Sequence, residues 1–282
     1  MKTTAILKTT VLLGAMTGLF MGIGYLVGGQ SGALIALGIA AVMNFGSYWF
    51  SDKLVLKMQG ATPLDETKFP QVRRMVQQIT ELDGMPMPKL YYVDTPIPNA
   101  FATGRSHSHA VVAVTAGIME ILSDKELYAV LAHEIGHVKN YDMLVSTIAA
   151  TLGGAISYIA QMAFFFGGND EDGNSNPIAA IAIMILAPLA ATIIQLAVSR
   201  SREFGADAHS RKISNGDGHY LAQALQKLEN VKPALQNYRP SPNEEATAHL
   251  MFTNMFNMQG LSSLFSTHPS TEARIARLID TD

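Results

Sequence analysis

The chain has 282 residues, 48% of them hydrophobic and 15% charged, with 20 Lys+Arg against 23 Asp+Glu and a formal net charge of -3. That balance excludes a nucleic-acid binder driven by bulk positive charge. The absence of cysteine excludes disulfides, thiolate metal sites, a cysteine nucleophile and lipidated cysteine anchors.

Charged residues make up about a quarter of an ordinary soluble protein, and here the deficit falls in a few long stretches. Between Lys8 and Asp52 about 43 positions carry no charge. That is too long for one bilayer crossing and suits two. Gly28-Gly29-Gln30-Ser31-Gly32 breaks the run, so residues 1–51 read as a transmembrane hairpin, with spans from about Thr10 to Val27 and from about Ala33 to Phe50. Tyr48 and Trp49 suit the interface between lipid and water. Gly14, Gly18 and Gly22 recur at four-residue spacing, a pattern that lets helices approach closely in lipid. Packing within the hairpin is the expected use. No small-residue cleavage region separates the two runs, which argues against a secretory signal.

Residues 52–142 are expected to form the first part of the domain outside the membrane. Leu90-Tyr91-Tyr92-Val93 and Ala110-Val111-Val112-Ala113-Val114 have strand character. His107 and His109 alternate on an expected strand and read as ordinary surface or boundary residues. Ser123-Asp124-Lys125-Glu126 is a capping-box sequence, and Leu127, Val130 and Leu131 carry the helical period into His133-Glu134-Ile135-Gly136-His137. Four residues are roughly 400° of rotation. His133 and His137 therefore share a face and can bind one zinc ion. Glu134 points beside the metal, where a carboxylate can take a proton from water and pass it to a leaving amine. HExxH alone is only moderately specific, since a polar helix face can show the same residues.

Residues 143–199 contain two further charge-free runs around Gly168-Asn169-Asp170-Glu171-Asp172-Gly173-Asn174. They read as a second transmembrane hairpin, kinked at Pro188, with buried helices of a large soluble core as the alternative. Residues 200–282 complete the catalytic domain. In Ser199-Arg200-Ser201-Arg202-Glu203-Phe204-Gly205-Ala206-Asp207, Glu203 and Asp207 share a helix face. Glu203 can complete a shell of two histidines and one glutamate, while Asp207 accepts a hydrogen bond from a ligand histidine. A surface charge cluster with Arg200, Arg202 and Arg211 is the alternative. His209, two residues past Asp207, lies on another face and is not expected to be a ligand. His219 reads as surface. Met251, Met255 and Met258, with Phe252 and Phe256, form an apolar stripe suited to core packing, and residues 232–247 read as a loop. Lys and Arg flank the spans on one side, at Lys2, Lys8, Lys53, Lys57, Lys139, Arg200 and Arg202, while both inter-span loops lack them. Both termini and the catalytic domain are thus expected in the cytoplasm.

HEIGH with Asn140 and Asp142, the SRSREFGAD segment, four apolar spans in two hairpins, Asn99-Ala100-Phe101-Ala102 and Thr267-His268-Pro269-Ser270 together resemble the HtpX-type membrane zinc metalloproteases, relatives of the prenyl-protein endoproteases. The resemblance covers essentially the whole chain. It implies an α+β, mainly helical, integral membrane Glu-zincin metallopeptidase domain with a small sheet and two transmembrane hairpins. It also implies one zinc ion per chain, a multi-pass place in the bacterial inner membrane, and a stress-response role in protein quality control beside an ATP-dependent membrane protease. The substrates so implied are unfolded or damaged membrane proteins. His133, His137 and Glu203 match the family's ligands and Glu134 its catalytic base. Asn99, Ala100, Phe101 and Ala102 match the edge strand that pairs with extended substrate; for Asn99 a turn role after Pro98 remains open. His268 matches a motif whose imidazole can stabilise an oxyanion, with Arg274 as a transition-state helper, although a helix-capping His-Pro-Ser turn accounts for the same residues. A processing peptidase of narrow specificity and a noncatalytic zinc-containing membrane scaffold are the alternatives.

Overall fold

The structure is a computed structural model that describes residues 2–149, 151–152, 200–235, 247, 250–252 and 269–280. Helix α1 (Lys2–Met58) is not straight. Gly29 has φ of +59°, and Asn44 Nδ2 donates to Leu13 O at 3.2 Å and to Thr17 Oγ1 at 2.9 Å. Residues 31 positions apart can meet in this way only if the chain reverses. The tight approach lies at Gly24 and Gly32, where a Cβ on either would strike the other's carbonyl oxygen at 2.5 and 2.1 Å.

Gly14, Gly18 and Gly22 correct the expectation from their spacing. They are exposed, and a Cβ on any of them would meet nothing within 4 Å. The facing side of the hairpin passes through Leu13, Thr17 and Gly24, one residue and roughly 100° of rotation away from the regular glycine row. The second arm also runs past the expected end at Phe50, through Asp52 and Lys53 to Met58. Gly29–Met58 is long and apolar enough to cross a membrane, and Ile6–Gly22 is a shorter apolar stretch. Residues 142–149 are helical, and Leu144, Val145, Ile148 and Leu152 pack on Leu12 and Met16 of the first arm. The rest of the expected second hairpin lies outside the described residues.

Four strands form one sheet in the order β1-β2-β4-β3: β1 (Thr62–Pro63), β2 (Lys89–Val93), β3 (Ala100–Thr103) and β4 (Val111–Thr115). β2 and β4 run parallel, and β3 lies antiparallel to β4 at the edge. Alternation along the strands separates two apolar faces. Leu90, Ala100, Ala102, Val112 and Val114 join the main core with helix α2 (Pro70–Asp83), helix α4 (Asp124–Lys139) and helix α6 (His219–Val231). Phe101, Val111 and Ala113 face the other way, onto Val55 and Leu56 at the end of α1 and onto Leu250. The apolar hairpin is thereby continuous with the sheet. The short helix α3 (Ala116–Ile121) leads from β4 towards α4. Helices α5 (Arg200–Ile213) and α7 (Thr271–Ile279) pack nearby.

His107 and His109 occupy a 3-10 turn instead of a strand. The His107 ring stacks on Tyr141 with centroids 4.1 Å apart, and its Nε2 donates to Lys139 O at 3.2 Å, capping the end of α4. His219 is exposed, as expected. Met251 and Phe252 are buried, while Met255, Phe256 and Met258 lie outside the described residues. Of the expected loop, residues 232–235 form a 3-10 turn and Thr247 is buried.

Candidate metal centre

Helix α4 begins with Glu126 reaching back to accept the Ser123 N–H at 2.7 Å, which fixes the register of the helix behind it. One turn apart on its buried face, the His133 and His137 rings stand nearly perpendicular. Their Nε2 atoms are 3.1 Å apart. From α5, the Glu203 carboxylate places one oxygen 3.4 Å from His137 Nε2 and the other 3.7 Å from His133 Nε2.

The outer nitrogens explain why those inner atoms converge. His133 Nδ1 lies 2.9 Å from Asp207 Oδ1, and His137 Nδ1 lies 3.3 Å from Asp142 Oδ2. Each carboxylate accepts the Nδ1 proton, which turns the lone pair of each Nε2 inwards. Two imidazole lone pairs and a carboxylate meeting at one point repel unless a cation lies between them. Two ligands held by one tetrahedral zinc at 2.0 to 2.1 Å stand about 3.3 Å from each other. The 3.1 Å between the two Nε2 atoms and the 3.4 and 3.7 Å from them to the two Glu203 oxygens are close to that separation, and one ligand atom from each residue lies within 4.8 Å of the others. Burial alone would lower the His137 imidazole, but Glu203, the bond to Asp142 and the charge of Glu134 outweigh it and hold it up at about 9. Burial prevails at His133 and lowers it to about 4.

Glu134 stands beside this cluster, only 5% exposed, with Oε2 accepting the Ala102 N–H at 3.0 Å. Burial pushes its carboxyl up to about 8, with Glu203 adding to the rise and His137 opposing it. The contact follows from strand register. Asn99 O accepts the Thr115 N–H at 3.0 Å, and bonded pairs alternate in an antiparallel ladder, so the Ala102 N–H points outwards from the sheet. It is engaged by Glu134 and not open to a peptide. Ala100, Phe101 and Ala102 are all buried on the edge strand. Asn99 is bound through its backbone and its side-chain oxygen: its N–H donates to Thr115 Oγ1 at 2.8 Å, and its Oδ1 accepts the Phe252 N–H at 3.0 Å. The structure thus places it as an anchor at the strand start.

Arg274 is 1% exposed, and its fork lies against Asp207 and Phe252, with Nη1 4.0 Å from Glu203 Oε2. Nε and Nη2 donate to the two oxygens of Asp207 at 3.0 and 2.6 Å, and Nη1 donates to Phe252 O at 3.0 Å. Burial would raise the Asp207 carboxyl, but Arg274 and His133 hold it below the usual carboxylate range. Phe252 covers the His133 ring edge to face, with centroids 5.0 Å apart. The surface charge cluster is not what forms, because Glu203 and Asp207 are both buried. His268 lies outside the described residues. Ser270 caps α7, its Oγ accepting the Ala273 N–H at 3.2 Å.

Asp142 joins the cluster at His137, a place that spacing did not reveal. Helix α4 ends at Lys139, and Tyr141, with φ of +62°, turns the chain so that Asp142 comes back beneath His137. A carboxylate five residues past the second histidine was the available signal. Asp142→Asn is expected to weaken zinc binding by about 10 to 100-fold, the usual effect of losing a group that orients a ligand. Chelator competition on the purified chain reads it, and unchanged affinity would remove Asp142 from the site.

Residues 66–282 match Peptidase family M48. The "Protease HtpX homolog" of Ralstonia pickettii (strain 12J) is 52% identical over 274 residues, covering 97% of this chain and 95% of the relative. That of Paraburkholderia phytofirmans (strain DSM 17436 / LMG 22146 / PsJN) is 50% identical over 277 residues, with the same coverage. Among solved structures, the crystal structure of S. mikatae Ste24p is 18% identical with a TM-score of 0.49, covering 98% of this chain and 66% of that one.

Proposed function

The chain belongs to Peptidase family M48, a metalloprotease hydrolase, and from that premise we propose that it is a zinc-dependent endopeptidase of the membrane surface. Its proposed substrates are misfolded or damaged membrane proteins, reached at the cytoplasmic face of the bacterial inner membrane. The observation that carries this reading is the convergence of His133 Nε2, His137 Nε2 and the Glu203 carboxylate, with Glu134 beside them and the edge of β3 within reach.

His133, His137 and Glu203 would hold the metal, which supplies a Lewis acid that polarises the scissile carbonyl and eases deprotonation of attacking water. Asp207 and Asp142 keep the two imidazoles in the tautomer that presents Nε2. Glu134 takes the proton of the attacking water and delivers it to the leaving amine nitrogen. A carboxyl displaced upwards towards neutrality can move a proton in both directions. The Ala102 N–H holds one of its oxygens, so the other faces the reaction. An extended peptide would lie along β3 and be bound through its backbone at the outward groups other than the Ala102 N–H that Glu134 holds, which favours breadth of sequence.

Place selects the substrate. The apolar hairpin of α1 is continuous with the back of the sheet through Val55 and Leu56, so the site sits close to the bilayer that the hairpin would enter. Cytosolic loops and tails of damaged membrane proteins are then met first, and a functional link to an ATP-dependent membrane protease follows as the route for longer fragments. The test is degradation of an unfolded protein by the detergent-purified chain with zinc. Cleavage at many sites, abolished by a chelator and restored by zinc, is expected. One discrete product points to a narrow processing peptidase, and no cleavage by a chain holding one zinc removes the proposal.

A further inference from the structure

We propose that His209 is a positioning residue for the metal site: it sets the axial register of α5 against α4, and Gly136 is the socket that admits its ring. The inference rests on the metallopeptidase reading above. The ligands come from two helices far apart in sequence, and a site of this kind works only when its groups are held within about 0.5 Å of the productive geometry. Something must fix how far α5 slides along α4.

The contact surface shows what does. On α4, Ala129, Ala132 and Gly136 follow one another at helical spacing and form a buried row of small residues. Two side chains of α5 reach it and bond the backbone of α4. His209 Nδ1 donates to Ala132 O at 2.9 Å, and Ser210 Oγ donates to Ala129 O at 2.6 Å. The other ring nitrogen of His209 lies 2.7 Å from Oδ2 of Asp83, the last residue of α2, whose second oxygen takes Lys139 Nζ from the end of α4. One imidazole therefore ties three helices together.

Gly136 makes this possible. A Cβ there would lie 3.1 Å from His209 Nδ1 and 3.2 Å from its Cβ and Cγ. The glycine is one residue from His137 and three from His133, so any shift forced at this contact passes into both ligands. Residue size at 136 and the ring at 209 thus form a matched pair beside the two ligand histidines.

The test uses the full-length chain in detergent, with zinc affinity read by chelator competition and ligand geometry by the visible spectrum of the cobalt(II)-substituted protein. His209→Ala is expected to weaken zinc on the order of tenfold and to alter the cobalt bands. Gly136→Ala should do the same, although alanine is the better helix former by about 1 kcal/mol. In the double variant the added methyl has no ring to strike, so its loss should equal that of His209→Ala alone. Additive losses, or unchanged affinity and cobalt spectrum in His209→Ala whatever happens to its thermal stability, overturn the proposal. If wild type binds metal but cleaves nothing, the peptidase reading fails while affinity and spectrum still decide the role of His209; a wild-type chain that binds neither metal sinks both.

Discussion

Glu134→Gln is expected to lower peptide hydrolysis on the order of a thousandfold while leaving one zinc per chain in place. The substitution keeps the shape of the side chain. A glutamine oxygen can still accept the Ala102 N–H, which Glu134 Oε2 accepts at 3.0 Å, so the edge strand keeps its partner. The metal donors are His133, His137 and Glu203, none of which changes. What disappears is the group able to take a proton from water and return it to the amine, and general acid-base catalysis contributes typically 10² to 10⁴-fold. Replacing a buried carboxyl, raised to about 8 mainly by burial, with a neutral amide also removes a desolvation cost. The variant should therefore be at least as stable as wild type. Degradation of an unfolded protein and metal content, measured on the same preparations, decide it. A variant that cleaves at wild-type rate shows that the base is elsewhere; one that has lost its zinc shows that Glu134 supports the metal.

The parts of this site legible in the sequence are those that helix geometry dictates. The four-residue spacing of His133 and His137 puts two imidazoles on one face wherever the helix lies, and the Ser123 and Glu126 pair announces its start. Glu203 and Asp207 share a face for the same reason. The sheet was legible in part: Lys89–Val93 and Val111–Thr115 are strands as their β-branched and aromatic content suggests, while His107 and His109 form a turn because the chain must pass from the β3 edge back to β4. What spacing cannot encode is which residues distant in sequence meet. Arg274 reaches Asp207 across 67 positions and Phe252 N–H reaches Asn99 across 153. Nothing local to Arg274 distinguishes an anchor behind the metal from a group aimed at the substrate. The glycine row at 14, 18 and 22 misled for a related reason. A regular small-residue period marks a face that can be approached, but hairpin reversal at Gly29 selected the neighbouring face through Gly24 and Gly32.

The second large effect is expected at Arg274, where stability and metal binding can be separated. Arg274→Met leaves the Asp207 carboxylate buried and without the bidentate partner whose nitrogens stand 3.0 and 2.6 Å from its two oxygens. Removing one member of such a buried pair costs about 3 to 5 kcal/mol, because the remaining charge keeps only the His133 Nδ1–H, 2.9 Å away, to compensate it. Thermal unfolding of the metal-free, detergent-solubilised chain should fall on the order of 10 °C, given about 2 to 4 °C per kcal/mol for a domain of this size. Phe252 also loses the donor to its carbonyl oxygen and the cation above its ring, centred 4.8 Å away, so the cover over His133 loosens. Replacing both members, Arg274→Met with Asp207→Leu, removes the stranded charge, and apolar side chains in place of a buried pair are often neutral for stability. Most of the thermal loss should then be recovered. Zinc affinity should not be recovered, since His133 Nδ1 has still lost the Asp207 carboxylate 2.9 Å away that fixes its tautomer. Recovery of both properties together would mean that Asp207 serves the fold alone, and a single variant as stable as wild type would mean that the pair contributes nothing that burial had not already cancelled.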